Sequence, residues 1–186
     1  MTIKKISDYS YKNINKFKTI LPNTVEYNIF APAYHPYYIY PPPSNIPSKD
    51  IDILFFGVMN DRRNKMKEEL VKRFPEKNIL FSFEYGKTME YSFRSKIVLV
   101  IHYYIECNPI DFYRINKLIC NKIFIIHEQI QDEEKSIELK NHLVLSEYSD
   151  IPAKCEYYLN NPEEMEQKTT FLEKIFREKY DMNKIM

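Results

Sequence analysis

The stretch DILFFGVMNDRR, residues 52–63, decides the fold of this chain. Its apolar run, residues 53–56, ends at Gly57, and a charged amphipathic segment at residues 60–74 follows the polar turn. That order predicts a buried parallel strand, a tight turn and a crossover helix. Because Gly57 is one of only two glycines in the 186 residues, its place at the turn indicates a need for a positive φ or for a close approach of the backbone.

Two arginines follow this turn, and they allow two interpretations. Arg62 and Arg63 begin the predicted helix at the carboxyl end of the strand, where open α/β sheets bind their ligands. They could face an anionic group such as a diphosphate. Alternatively, the turn only needs to be tight, and both arginines lie on a solvated face of the helix.

The chain from residue 51 onwards alternates predicted strands and helices at short spacing. Strands are predicted at residues 51–57, 78–83, 97–104, 122–128 and 143–146, and helices at 60–74, 87–95, 109–120, 130–141, 151–160 and 163–180. This alternation predicts a Rossmann-like α/β domain, with a mostly parallel sheet of about five strands and helices on both faces. The apolar runs IVLVIHYY and KIFIIHE are typical of buried parallel strands.

Residues 1–50 have a different, irregular pattern. An amphipathic piece at residues 9–20 precedes a short strand candidate at 25–30, and a stretch rich in proline and tyrosine follows. Proline fixes φ and removes backbone donors, so this stretch is predicted to be an extended connector rather than sheet interior. Its tyrosines either pack the connector onto its own domain, which we favour, or dock into the aromatic groove of a partner.

The composition excludes several functional classes. A formal net charge of +1 gives no overall attraction to nucleic acid, and no apolar run approaches the ~20 residues needed to span a bilayer. The start of the chain lacks the apolar core of a signal peptide. The three cysteines form no CxxC pair, and the four histidines have no metal-ligand spacing, so neither a zinc site nor a disulfide framework is expected. We therefore expect a cytoplasmic protein without a metal or cofactor.

Polar side chains follow the predicted strands at the points where the strands end. These candidate site residues are Asn60, Arg62 and Arg63 after the first strand, His102 and Tyr103 at the end of the third, Asp111 and Arg114 at the next helix start, and Glu128 closing the fourth strand. In a doubly wound sheet all of them gather at one edge. A Glu at a strand end can bind a ribose diol, and an Arg near a helix start can bind phosphate.

Each candidate also has a purely structural interpretation. His102 has apolar neighbours and is better explained as a satisfied buried histidine than as a base. Asp111 can favour the helix dipole or form an ordinary pair with Arg114 three residues later. The carboxylate of Glu128 lies beside a run of isoleucines, where burial is costly unless it has a partner.

Three segments together resemble a known family. The segments DILFFGVMNDRRNKM, SKIVLVIHYY and DFYRINKLICNKIFIIHE, in this order and spacing, resemble the carboxyl-terminal half of GT-B glycosyltransferases. The most similar branch is the group-one-like, CgeB-type transferases of bacteria and large DNA viruses. Upstream, DYSYKNINKFKT and APAYHP are similar to that family's interdomain passage. The resemblance implies a passage and connector at residues 1–50, a nucleotide-sugar-binding domain at 51–162 and a carboxyl-terminal helix at 163–186.

The resemblance also implies a function and a site. It implies a metal-independent transferase domain that binds a UDP-, GDP- or dTDP-sugar, with the acceptor domain supplied by a partner chain or a second copy. The implied nucleotide-sugar-binding residues are Gly57, Asn60, Arg62, Arg63, His102, Tyr103, Asp111, Arg114 and Glu128. The chain departs from the family pattern at Ala33, Val100, Asp111 and His127, where Gly, Asn, Glu and Ser are usual. The alternatives are an inactive remnant and a protein-interaction module.

Overall fold

The structure is a computed structural model that describes residues 3–8, 11–21, 23–29, 33–40, 49–105, 109–130 and 137–182. Its strands are β1 (Lys5–Asp8), β2 (Glu26–Ile29), β3 (Ile51–Phe56), β4 (Ile79–Ser82), β5 (Ser95–Val100), β6 (Ile125–Glu128) and β7 (Val144–Ser146). Its helices are α1 (Tyr11–Ile20), α2 (Asp61–Arg73), α3 (Thr88–Arg94), α4 (Phe112–Cys120), α5 (Ile137–Lys140), α6 (Ile151–Asn160) and α7 (Pro162–Lys179).

The centre of the fold is a five-stranded sheet in the order β4-β3-β5-β6-β7. Every neighbouring pair in it is parallel. The prediction of a Rossmann-like α/β domain with a parallel sheet of about five strands is therefore confirmed. A second, two-stranded parallel sheet pairs β1 with β2 beside α1.

Helices cover both faces of the five-stranded sheet, as predicted. Along β3, Leu54 and Phe56 pack into one core cluster with α4 and α7, whereas Ile53 and Phe55 pack into the other with α2 and α6. Both clusters consist of nearly inaccessible side chains, since a strand covered on both sides exposes neither set. None of the helices in the described ranges has the length and apolarity to cross a membrane.

Several element ends differ from the prediction. The strand predicted at 97–104 leaves the sheet after Val100, and residues 101–105 form a loop. The helix predicted from residue 109 begins at Phe112, because the side chain of Asp111 caps it. The strand predicted from residue 122 begins at Ile125, because Lys122 takes a φ of 52° in the turn that ends α4. Of the helix predicted at 130–141, residues 131–136 lie outside the described part.

The described part of the connector packs onto its own domain, as we favoured for its tyrosines, through Tyr34 and Tyr38, whereas Tyr37 is 88% exposed. Tyr34 donates its N–H to the carbonyl of Tyr180 and accepts the N–H of Met182. The side chain of Asn121 bridges to the carbonyl of Tyr38 and the N–H of Tyr40. Most of the prolines, at residues 41–48, lie outside the described residues.

Candidate functional site

The sheet order creates a crevice between β3 and β5. The chain leaves β3 through α2, which covers one face, and leaves β5 through α4, which covers the other. The two strands are neighbours, so their carboxyl ends form a topological switch point, where open α/β sheets bind ligands. A cleft of ≈ 590 Å³ opens there. We call it the switch-point cleft; its lining includes Val58, Arg63, Tyr85, His102, Tyr103, Tyr104, Asp111 and Arg114.

Gly57 lies beside the switch-point cleft, and its backbone meets both predicted needs. Its φ is +151°, which side-chain-bearing residues rarely adopt. An added Cβ would lie 3.1 Å from Cζ of Phe55 and 3.5 Å from both Nη2 of Arg114 and Nη1 of Arg63. The glycine therefore allows two guanidinium groups to lie directly over the strand end.

Arg63 is a buried cation that joins the chain segments that follow β3 and β5. Only 4% of it is exposed, and it donates from Nη1 to the Val58 carbonyl at 2.6 Å and from Nη2 to the Ile101 carbonyl. Burial, followed by the nearby charge of Arg114, lowers the pKa of Arg63 to about 10, so it stays protonated at neutral pH. The alternative of two arginines on a solvated helix face is therefore wrong.

Asp111 and Arg114 lie together at the amino end of α4. The carboxylate of Asp111 accepts the N–H of Arg114 at 3.1 Å and lies 3.3 Å from its Nε. The ion-pair interpretation of Asp111 is thus confirmed, and its side chain also caps α4. The pair holds the Arg114 guanidinium over the ring of Phe56, 5.2 Å from the ring centroid. Nη1 of Arg114 is left without a hydrogen-bond partner.

Three buried nitrogens around this cleft lack partners. They are Nε of Arg63, Nη1 of Arg114 and Nε2 of His102. Burial lowers the pKa of His102, so its ring is neutral near pH 7 and one nitrogen carries a proton. His102 is buried and bonds the backbone of Gln129, as its structural interpretation expects, but its Nε2 has no partner. Because buried polar groups are nearly always paired, the two unpartnered guanidinium nitrogens of Arg63 and Arg114 indicate a ligand that offers acceptors.

A second cleft, of ≈ 760 Å³, opens on the β6 side of the 101–105 loop. We call it the outer cleft; it is lined by Asp61, Arg62, Lys65, Ile105, Glu128, Gln129, Glu147 and Tyr148. Arg62 binds both carboxylate oxygens of Glu128. The Arg62 guanidinium also stacks on the ring of Tyr148, 3.9 Å from the ring centroid. The partner that the buried carboxylate needs is therefore Arg62.

The nine predicted residues thus divide between two clefts. Arg63, His102, Tyr103, Asp111 and Arg114 line the switch-point cleft with Gly57 beside it, whereas Arg62 and Glu128 line the outer cleft. Asn60 caps α2 by accepting the N–H of Arg63 at 3.0 Å, and its Nδ2 donates to the carbonyl of Tyr103 at 2.9 Å. It therefore ties the loop between the clefts to the helix.

Among the side chains of the outer cleft that sequence reasoning did not name are Tyr148 and Gln129. Tyr148 donates its hydroxyl to the carbonyl of Arg62. Gln129 buries an Oε1 that has no hydrogen-bond partner. Both follow strand ends, Gln129 directly after β6 and Tyr148 two residues after β7, so the same strand-end rule could have found them. Within the described ranges, no group of three or more His, Cys, Asp or Glu side chains is placed to hold a metal ion.

Comparison with known proteins places the fold. No family model and no curated protein matches this chain. Among solved structures, it is similar to a sucrose-phosphate synthase from Thermosynechococcus elongatus, with a TM-score of 0.62 and 10% sequence identity. The likeness supports the fold, a Rossmann-like α/β domain with a five-stranded parallel sheet between helices. The alignment covers 97% of this chain and 55% of the synthase chain, so this chain spans about half the length of that structure.

Proposed function

We propose that this chain is the donor-binding half of a GT-B glycosyltransferase and that the switch-point cleft takes the diphosphate of a nucleotide sugar. One observation carries the proposal: the buried Arg63 and the partly buried Arg114 lie over Gly57, each with an unpartnered nitrogen. A cleft built this way presents donors and positive charge to whatever fills it.

The charge balance of the cleft favours a diphosphate over a neutral ligand. Arg114 has Asp111 as a counter-ion, but among the described residues no carboxylate forms an ion pair with Arg63. A buried cation that lacks a counter-ion is costly, and an anionic ligand offsets that cost. Guanidinium groups match phosphate oxygens in geometry, and the amino end of α4 adds a favourable dipole. These charges make a divalent ion unnecessary for binding the diphosphate.

The outer cleft offers room for the nucleoside. Glu128 ends β6 and lies at the border of this cleft, and an acidic residue at a strand end is suited to a ribose diol. Gln129 brings an unpaired acceptor to the same cleft, which can receive an N–H group of a base. The sugar would then lie near Tyr85 and Tyr104, which are exposed at the rim of the switch-point cleft.

Transfer itself requires a second domain. Donor binding alone does not bring the acceptor into position, and proximity supplies much of the rate enhancement in two-substrate reactions. We expect a partner chain or a second copy to cover the carboxyl edge of the sheet. The alternative function is an inactive protein-interaction module; the exposed Phe83, Tyr85 and Ile105 at this edge favour it, because apolar patches often mark interfaces.

Calorimetry with UDP, GDP, dTDP, ADP and inorganic pyrophosphate tests the proposal. We expect at least one nucleoside diphosphate to bind to the wild-type chain, and Arg114→Gln to weaken it about 10- to 100-fold, as the loss of a charged hydrogen bond does. Arg73→Gln is the matched control, because Arg73 lies at the far end of α2 and pairs with Glu156. No binding at millimolar concentration, or equal affinity in both variants, would favour the interaction module.

A further inference from the structure

The two neighbouring arginines of α2 have different partners. Arg63 holds the carbonyls of Val58 and Ile101 beside the switch-point cleft. Arg62 instead binds Glu128 in the outer cleft and donates from Nη1 to the carbonyl of His102 at 3.1 Å. Its guanidinium therefore lies against the loop that separates the two clefts.

The carboxylate of Glu128 is already occupied in this arrangement. Both of its oxygens accept from Arg62, and Oε2 also accepts the backbone N–H of His102 at 2.9 Å. Only 5% of Glu128 is exposed, so little of the carboxylate is open to a ligand. A ribose diol can reach it only after Arg62 has moved.

Arg62 has a place to move to. Arg62 also lines a further, more open cleft of ≈ 490 Å³, together with Asn60, Tyr103 and Tyr104 among others. Tyr103 and Tyr104 also line the switch-point cleft, so the two spaces share a wall. A guanidinium that rotates into this space leaves Glu128 and approaches the region that we assign to the diphosphate.

We infer that Arg62 is a specificity-determining residue that makes nucleoside binding depend on phosphate. The inference rests on the proposed function and concerns how its site selects among nucleotides. In the absence of a diphosphate, the Arg62 guanidinium occupies the carboxylate of Glu128, so that a ribose diol cannot bind there. When a diphosphate enters, Arg62 leaves the carboxylate of Glu128 and pairs with the diphosphate. The carboxylate is then free to bind the ribose.

A nucleoside without phosphate cannot make this exchange. To bind, it must separate Arg62 from Glu128 and leave a partly buried guanidinium without a counter-ion, which is strongly unfavourable. The apparent affinity of such a ligand falls with the fraction of molecules in which Glu128 is free. The site therefore rejects nucleosides and admits nucleoside diphosphates, although both carry the same base and ribose.

Calorimetry with uridine, guanosine, UDP and GDP on three forms of the chain tests the inference. For the base whose diphosphate the wild type binds, Arg62→Gln should raise the affinity for the nucleoside about tenfold and lower the affinity for the diphosphate. Arg62→Lys keeps the charge but loses the planar fork, so its nucleoside affinity should lie between the two. Arg73→Gln, on the same helix, should match the wild type.

Two further measurements distinguish the possible failures. The increase in nucleoside affinity of Arg62→Gln should vanish for the 2′-deoxynucleoside, because the released carboxylate needs both hydroxyls of the diol. Thermal unfolding verifies that each variant is folded. If the wild type binds diphosphates but neither variant gains nucleoside affinity, the inference is overturned and the proposed function stands. If the wild type binds no nucleoside diphosphate, both are overturned.

Discussion

Arg62 and Arg63 are adjacent in the sequence but face different clefts, because consecutive residues of a helix point about 100° apart. Arg63 therefore turns towards the carbonyls at the ends of β3 and β5, and Arg62 turns towards Glu128. The sequence identified both arginines as candidates for an anion site. It could not assign their partners, because Glu128 is 66 residues away from Arg62 along the chain and meets it only through the strand order.

His127 is the residue whose protonation is most strongly opposed by its surroundings. It is fully buried in β6, where Nδ1 lies 2.6 Å from the carbonyl oxygen of Glu128. Burial, followed by the neighbouring His102, lowers the pKa of His127 to about 3. The folded protein therefore holds His127 neutral, whereas in the unfolded chain a histidine titrates near pH 6.5.

This pKa difference predicts a loss of stability in mild acid. Below pH 6.5 the unfolded chain binds a proton at His127 that the folded protein does not, so the free energy of unfolding falls until the pH nears 3. Between pH 7 and pH 5 we expect His127 to account for a loss of about 2 kcal/mol. Denaturant titrations at both pH values, on the wild type and on His127→Asn, measure it. A variant that loses as much stability as the wild type would contradict it.

The turn from β3 to α2 is the element on which both clefts depend. It is fixed by Gly57, whose N–H bonds to the carbonyl of Ser82, and by Asn60, which caps the helix. The sequence pattern predicted strand, turn and helix here because the apolar run, the glycine and the charged amphipathic segment all agree. The sequence pattern extended β5 too far because Ile101, after the strand, is as buried as the strand residues. An apolar pattern reports burial and does not report the hydrogen bonds between strands.

The two glycines of the chain provide a matched test of this turn. Gly57→Ala forces a side chain into a φ of +151° and towards Phe55, and it should lower the free energy of unfolding by about 1–3 kcal/mol. Gly86→Ala meets nothing within 4 Å and should change it by less than about 0.5 kcal/mol. Denaturant unfolding of both variants gives the comparison. Equal effects would show that the turn imposes no strain.

At the scale of the whole molecule, the alternation of elements was sufficient to predict a parallel sheet with helices on both faces. The strand order was not predictable in the same way, because it depends on which face each crossover takes. That order places β3 and β5 side by side, with their crossover helices on opposite faces of the sheet, and puts β6 beside β5. As a result, site residues that were predicted as one group are divided between two clefts, with the 101–105 loop between them.

The central claim, a diphosphate in the switch-point cleft with its nucleoside towards Glu128, is tested most directly by mapping the bound ligand. Two-dimensional NMR of the ¹⁵N-labelled chain, titrated with the nucleoside diphosphate that binds best, reports which backbone N–H groups change. We predict that the largest shifts fall at Gly57, His102 and Arg114, with smaller shifts at Gln129. Titration with pyrophosphate should shift the N–H signals of Gly57, His102 and Arg114 and leave the signal of Gln129 unchanged. Shifts confined to other parts of the chain, or none at saturating nucleotide, would contradict the account.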